Sequence, residues 1–208
     1  MSLQAFQRAV VDLTLSYPRA RALREGDANV LASYDLTPIE QRRILAIVGQ
    51  PGIAVHCTLS RGNRLEVVVN AFPMTCILLD SRLRQLVNEL WRHHSPTNYQ
   101  LAGEEIAFAE LIRDKIAAGE LSVEYLPEVL AYEVICLELT NQSWAHAEPD
   151  ASVEAIADFQ HSPDDLLPPL AQLTLPPAGL PTGSYRSRVR LQNKRFEVTV
   201  LQIDAHGS

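Results

Sequence analysis

Apolar residues recur at helical spacing through the middle of the chain, and prolines divide them into separate helices. After Asp80 they follow an i, i+3, i+4, i+7, i+8 pattern, at Leu83, Leu86, Val87, Leu90 and Trp91. Such a pattern is the buried stripe of an amphipathic helix. This helix is expected to end before Ser95–Pro96, and an earlier one, around residues 63–71, is expected to break at Pro73, because proline disfavours helix at the preceding residue. Two more helices are predicted, from about Gly103 to Ala118 and from Tyr125 onwards. The segment can therefore fold only as short, packed helices.

The first part of the chain, residues 2–49, is predicted to form three short helices. The first has apolar residues at helical spacing, and the second is expected to run from about Arg19 to Tyr34. The third has a start signal, since Thr37 is an N-cap residue, Pro38 suits the first helical position and Glu40 completes a capping box. A connector is expected from residue 50 to about residue 59.

The last part of the chain carries a β pattern. Between Tyr185 and Leu191 apolar or small residues alternate with arginines, and a second alternation follows Phe196. We interpret this as a hairpin, with a turn at residues 192–194 and a further strand at residues 153–159. Seven of the thirteen prolines lie between Pro149 and Pro181, which predicts an ordered or semi-rigid linker.

These patterns predict an α+β, mainly helical fold: an N-terminal helical bundle followed by a small C-terminal antiparallel β-sheet. The expected divisions are a short helical module at 1–49, a helical domain at 60–146, and a proline-rich linker with a small β domain at 147–208.

Composition narrows the function classes. The net charge of −7 disfavours nucleic acid as a partner, because such binding is dominated by the phosphates. No apolar run approaches the roughly 20 residues of a membrane-spanning helix. The N-terminal residues do not have the pattern of a signal peptide, and the three isolated cysteines suit a reducing compartment. We therefore expect a cytoplasmic protein with no membrane partner.

No residue pattern points to catalysis, a metal or a cofactor. The six histidines lack the i, i+3 or i+4 spacing of a helical metal site, and His93–His94 is expected to lie at a helix C-terminus. Cysteine nucleophiles are disfavoured, because Cys76 and Cys136 lie in apolar runs. The acidic pairs Glu104–Glu105 and Asp164–Asp165 are assigned to helix starts. Nucleotide-binding and serine-hydrolase motifs are absent from the sequence.

The arginines of the predicted hairpin are the best candidate for a binding surface. Arg186, Arg188 and Arg190 alternate along one strand and share one face, next to Tyr185. We predict that these four residues bind a peptide, in keeping with the ability of an exposed strand to receive another strand. The alternative is that the arginines pair with acidic residues between Glu148 and Asp165, or form a solvated face.

The segment from Arg61 to Leu139 resembles a known helical domain. The matching positions are Phe72–Pro73, Leu78–Leu79–Asp80, His94–Ser95–Pro96 and Tyr125–Leu126–Pro127–Glu128–Val129. They have the order and similar spacing of an N-terminal domain in a bacterial family labelled as DNA-binding. Members of that family are partners of TIM-barrel multinuclear non-heme iron oxidases, which modify ribosomally made peptides (RiPPs). The resemblance implies a non-catalytic partner subunit that docks on such an oxidase and helps bind or present its precursor peptide.

The first segment is similar to a second helical module. Asp27–Ala28, Leu31 and Tyr34, followed by residues 36–40, resemble the small helical subunit of extradiol ring-cleaving dioxygenases and certain precursor peptides of N-methylated natural products. Two alternatives to the partner hypothesis follow. One is an accessory subunit of a ring-cleaving-dioxygenase-like enzyme, and the other is a DNA-associated regulatory protein, as the family label suggests.

Overall fold

The computed structural model describes residues 3–94, 103–145 and 152–204. Within them, a series of helices is followed by a small antiparallel sheet of three strands. The fold is α+β and mainly helical, which confirms the predicted class. No helix among the described residues is long and apolar enough to cross a membrane.

The chain begins with α1 (Leu3–Leu15) and α2 (Tyr17–Arg24), then a 3₁₀ turn (Ala28–Leu31). The single helix expected from Arg19 to Tyr34 is therefore wrong. Gly26 has a φ of 102°, a left-handed conformation that glycine adopts without strain, and it ends α2. The Asp27 side chain then accepts a hydrogen bond from the Asn29 backbone N–H and starts the 3₁₀ turn.

Helix α3 (Pro38–Val48) has the predicted capping box. The Thr37 hydroxyl accepts from the Glu40 backbone N–H, and the Glu40 carboxylate accepts from the Thr37 backbone N–H at 2.8 Å. Helix α4 (Gly52–Ala71) begins earlier than expected, so most of the predicted connector is helical. The physical reason is burial, because Ile53 and Cys57 lie one turn apart in the core formed with α1, α2 and α3.

The Phe72–Pro73 break is confirmed, and it separates α4 from α5 (Pro73–Leu79). A 3₁₀ turn (Asp80–Arg82) leads into α6 (Leu83–His93), and α7 (Glu104–Ala117) and α8 (Leu126–Ala145) follow. The C-terminal region contains β1 (Val153–His161), α9 (Pro163–Ala171), β2 (Thr182–Gln192) and β3 (Arg195–Asp204).

Helix α9 lies within the stretch that the proline content marked as a linker. Its first turn contains Asp164 and Asp165, at the helix start to which they were assigned. Pro168 and Pro169 cannot donate backbone hydrogen bonds, which weakens a helix. Burial of three leucines on its inner side offsets that cost, at Leu166, Leu167 and Leu170.

Residue contacts divide the chain into two compact units, with the boundary inside α4 between Glu66 and Val67. In the first unit α1, α2 and α3 pack on one another. In the second, α8 is the central element and packs against α5, α7, β1 and β2. The buried face of α8 includes Leu126, Val129 and Leu130, while Val134 and Leu137 are half-buried.

One buried residue of α8 is the carboxylate Glu133. Its two oxygens accept hydrogen bonds from the backbone N–H groups of Met74, at 2.7 Å, and Thr75, at 2.8 Å. These N–H groups belong to the first turn of α5, and N–H groups in a first turn have no acceptor within their own helix. Burial nevertheless raises the Glu133 pKa to about 7, against the lowering effect of these hydrogen bonds.

The raised pKa of Glu133 predicts a pH-dependent stability. The folded state binds this proton more tightly than the unfolded chain, whose ordinary value is 4.5. The contribution is therefore complete below pH 4.5 and is lost as the pH rises through about 7, on the order of 3 kcal/mol. Urea unfolding across this range measures it. Glu133→Gln should remove this dependence of the unfolding free energy on pH, whereas the exposed control Glu138→Gln should keep it. Equal pH dependence in the two variants would contradict the role of Glu133.

Candidate peptide-binding surface

The three strands form one sheet in the order β1-β2-β3, and both pairings are antiparallel. The β2–β3 hairpin closes through Asn193 and Lys194, whose φ angles of 51° and 61° are those of a two-residue type I′ turn. This confirms the predicted hairpin and turn, and β1 supplies the further strand. The inner face of the sheet packs on α8, and its outer face is exposed.

The structure places the four predicted peptide-binding residues on opposite faces of β2. Arg186 and Arg188 are exposed on the outer face, and Arg190 lies half-buried beside them. Tyr185 is half-buried on the inner face, between Phe159 of β1 and Ile203 of β3 in the strand register. The three arginines therefore form one row, and Tyr185 does not belong to it.

Acidic residues of β1 face this arginine row. Arg186 Nε lies 3.0 Å from Asp158 Oδ1, directly across the strand pair, and Arg188 Nε lies 3.9 Å from Glu154 Oε2 on a diagonal. Both pairs are exposed, so each stabilises the fold by well under about 1 kcal/mol. Acidic residues of β1 thus face two of the three arginines, Arg186 and Arg188, as the alternative interpretation of these arginines expects.

β3, like β1, is an edge strand of the three-stranded sheet. It pairs with β2 on one side, and no described strand pairs with the other. Its inner face is incompletely covered: Phe196 is 39% exposed, and Val198 and Val200 are half-buried. On its outer face, the small Thr199 lies opposite Arg188. A free edge with an apolar inner face has the features that accept an added strand.

A buried carboxylate holds the sheet against α8. Glu128 Oε2 accepts from the backbone N–H groups of Gln160, at 2.8 Å, and His161, at 3.1 Å. Glu128 Oε1 lies 2.5 Å from His161 Nδ1. These contacts join the first turn of α8 to the end of β1, where the strand register shifts. We call this arrangement the Glu128 clamp.

Tyr125 extends the clamp to the segment before β2. Its ring packs edge-on against the His161 ring, with 4.8 Å between centroids. Its hydroxyl donates to the Pro177 carbonyl at 2.8 Å and accepts from the Leu180 N–H at 3.0 Å. Both ends of the β1–β2 connection are therefore fixed to the start of α8.

Most of the clamp is not predicted by the sequence pattern. Glu128 stands there only as part of the Tyr125–Val129 match, and no pattern gives His161 a role. The available signal was a pair of glutamates, Glu128 and Glu133, within an otherwise apolar helical run. A carboxylate on the buried side of a helix requires hydrogen-bond donors from elsewhere in the chain.

None of the three cysteines belongs to the sheet. Cys76 and Cys136 are free thiols, and burial raises the pKa of each to about 12. Cys57 is also free and buried. His93 ends α6, as expected, while His146 and His206 lie outside the described residues. Among the described residues, no group of three or more His, Cys, Asp or Glu side chains is arranged to hold a metal ion.

Comparison of the chain with protein-family models, with curated proteins and with solved structures finds no match. The function of the sheet is therefore argued from its own geometry and from the contacts that join it to α8.

The Glu128 clamp can be tested by truncation. Glu128→Ala leaves two backbone N–H groups and His161 Nδ1 without their acceptor, and we expect a loss of about 3 kcal/mol in the free energy of unfolding. Urea unfolding followed by circular dichroism measures it. The matched control is Glu124→Ala, which removes an exposed carboxylate that accepts from the Gly179 N–H at 3.1 Å. The control should lose less than about 1 kcal/mol, and equal losses in both variants would refute the role of the clamp.

Proposed function

We propose that the chain is a non-catalytic partner subunit that docks on an iron-dependent RiPP-modifying oxidase and helps to bind or present its precursor peptide in the cytoplasm. The oxidase is proposed from the resemblance of the Arg61–Leu139 segment, because partners of TIM-barrel multinuclear iron oxidases have this pattern. The structural observation that supports peptide binding is the unpaired edge of β3.

A peptide added beside β3 gains two kinds of interaction. Its backbone pairs with the N–H and C=O groups that an edge strand leaves without a strand partner. Its inward side chains cover the half-exposed apolar face formed by Phe196, Val198 and Val200, and burial of apolar area contributes roughly 25 cal/mol per Å². The expected peptide segment is therefore extended, with apolar residues at alternate positions.

The arginine row acts at longer range in this arrangement. Neighbouring strands lie about 4.8 Å apart, so a peptide on β3 is roughly 10 Å from β2. Arg188 lies opposite Thr199, a small residue that leaves room for its side chain to turn from Glu154, 3.9 Å away, toward the peptide. Arg186 is held by Asp158 on the opposite side. We therefore propose that the row favours peptides with acidic outward residues, with Arg188 contributing most.

A charge placed on the inner face of β3 should block the peptide. Val198→Lys puts a cation where an added strand would bury apolar groups, and we expect the affinity for the co-encoded precursor peptide to fall at least about tenfold. Thr199→Lys is the matched control, because it adds the same charge one residue away on the outer face. Its affinity should change less than about threefold. Fluorescence anisotropy measures both, and equal effects would argue against strand addition at β3.

The contribution of the arginines is tested by replacing Arg186, Arg188 and Arg190 with Ser. We expect a loss of about tenfold in peptide affinity at low salt and a smaller loss at high salt, because exposed charges are screened. The control replaces three exposed arginines of the first unit, Arg24, Arg42 and Arg43, with Ser, and so has the same net charge. Unchanged peptide affinity in a folded triple variant would mean that the arginine row does not bind the peptide and is only a solvated face of the sheet.

The docking proposal is tested by co-expression with the neighbouring oxidase. The two chains should co-purify, and the oxidase should modify its precursor peptide faster when this chain is present. An oxidase that binds and fully modifies its peptide alone would overturn the proposed function.

A further inference from the structure

A polar groove runs along the exposed side of α6. It consists of two adjoining cavities of about 460 and 330 Å³ that share Gln85 and Glu89. The first lies against the end of α7 and the following turn, at Lys115 and residues 119–122. The second follows the exposed side of α6 from Ser81 to Arg92. We call this feature the α6 groove.

The basic residues of the α6 groove outnumber its acidic ones. Its cations are Arg82, Arg84, Arg92 and Lys115, and its carboxylates are Glu89 and Glu120. Lys115 Nζ contacts both carboxylates, at 2.7 Å from Glu89 and 3.1 Å from Glu120. Those three groups therefore form a closed cluster, which leaves the arginines as the source of excess positive charge.

The three arginines are available to a ligand to different degrees. Arg82 donates one hydrogen bond, to the Ser122 carbonyl at 2.9 Å, and that acceptor carries no net charge. Arg84 and Arg92 are exposed, and neither forms an ion pair with another residue in the described part of the chain. The protein has a net charge of −7, but this local excess of unpaired guanidinium groups attracts anionic ligands.

We propose that the α6 groove binds an extended acidic segment of a second protein. The planar guanidinium matches a carboxylate in a two-bond geometry. Arg84 and Arg92 are eight residues apart on one helix, which places them about 12 Å apart along its axis. In an extended peptide, residues i and i+4 lie on one face and about 13 Å apart. A segment with carboxylates at i and i+4 therefore fits the two arginines.

The same charges disfavour a nucleic acid. The groove has four cations, which is few for a nucleic acid, because proteins that bind DNA through phosphate neutralisation make roughly 6–10 such contacts. None of the residues that line the groove belongs to β3, so the groove is a different surface from the proposed precursor-peptide site.

Binding of labelled synthetic peptides to the full chain tests this inference. The first peptide carries Glu at positions i and i+4 in a Gly/Ser/Thr background, and the second has the same composition with the two Glu adjacent. By fluorescence anisotropy at low salt, the first should bind at least about threefold more tightly. Arg84→Glu with Arg92→Glu should weaken it at least tenfold. The matched control, Arg24→Glu with Arg42→Glu, makes the same charge change in the first unit and should leave affinity within about twofold.

Four results would overturn the proposal. They are no binding to the wild-type chain, equal loss in the two double variants, equal affinity for the two peptides, and tighter binding of a duplex DNA that the groove variant abolishes. Sedimentation velocity is a further test. A dimer that dissociates only in the groove variant would assign the groove to a second copy of the chain and would also overturn the proposal. Circular dichroism of both variants verifies that they are folded.

Discussion

The contact between Glu128 and the end of β1 is the interaction on which the candidate site depends. A three-stranded sheet needs a surface to pack on, and this sheet has α8 on its inner face. Apolar packing alone fixes the sheet loosely, because it is not directional. The Glu128 carboxylate adds direction, since it binds two backbone N–H groups and the His161 ring at once. The position of β2 and β3 relative to the helix follows from that one buried group.

Helix α8 uses a second buried carboxylate in the same way. Glu133 binds the first turn of α5, and Glu128 binds β1, so one helix orients a helix and a sheet through directional bonds. Burying carboxylates is costly, and the raised pKa of Glu133 reflects that cost. The hydrogen bonds offset it only when the neighbouring elements are correctly placed. The arrangement therefore favours one packing of the second unit over others, while the unpaired edge of β3 stays exposed.

Local chemistry explains which parts of the fold were predictable. The Thr37 capping box, the Phe72–Pro73 break and the hairpin turn at residues 193–194 each depend on a few neighbouring residues, so the sequence reveals them. Helix α9 was hidden because its prolines oppose a helix that tertiary burial supports. The contact of Glu128 with His161 joins residues 33 positions apart, and no local pattern encodes such a pair. The alternation along β2 predicted the arginine row, but only the structure shows that β1 carboxylates face Arg186 and Arg188. It also shows that the inner face of the edge strand β3 is incompletely covered.

Hydrogen–deuterium exchange of the chain, with and without the proposed precursor peptide, tests the central claim most directly. Strand addition at β3 predicts that the peptide slows exchange of amides between residues 196 and 201 and leaves those of β1 between residues 153 and 159 unchanged. Slowing that is confined to β1 or to the helices, or no change at saturating peptide, would contradict the proposed use of this edge.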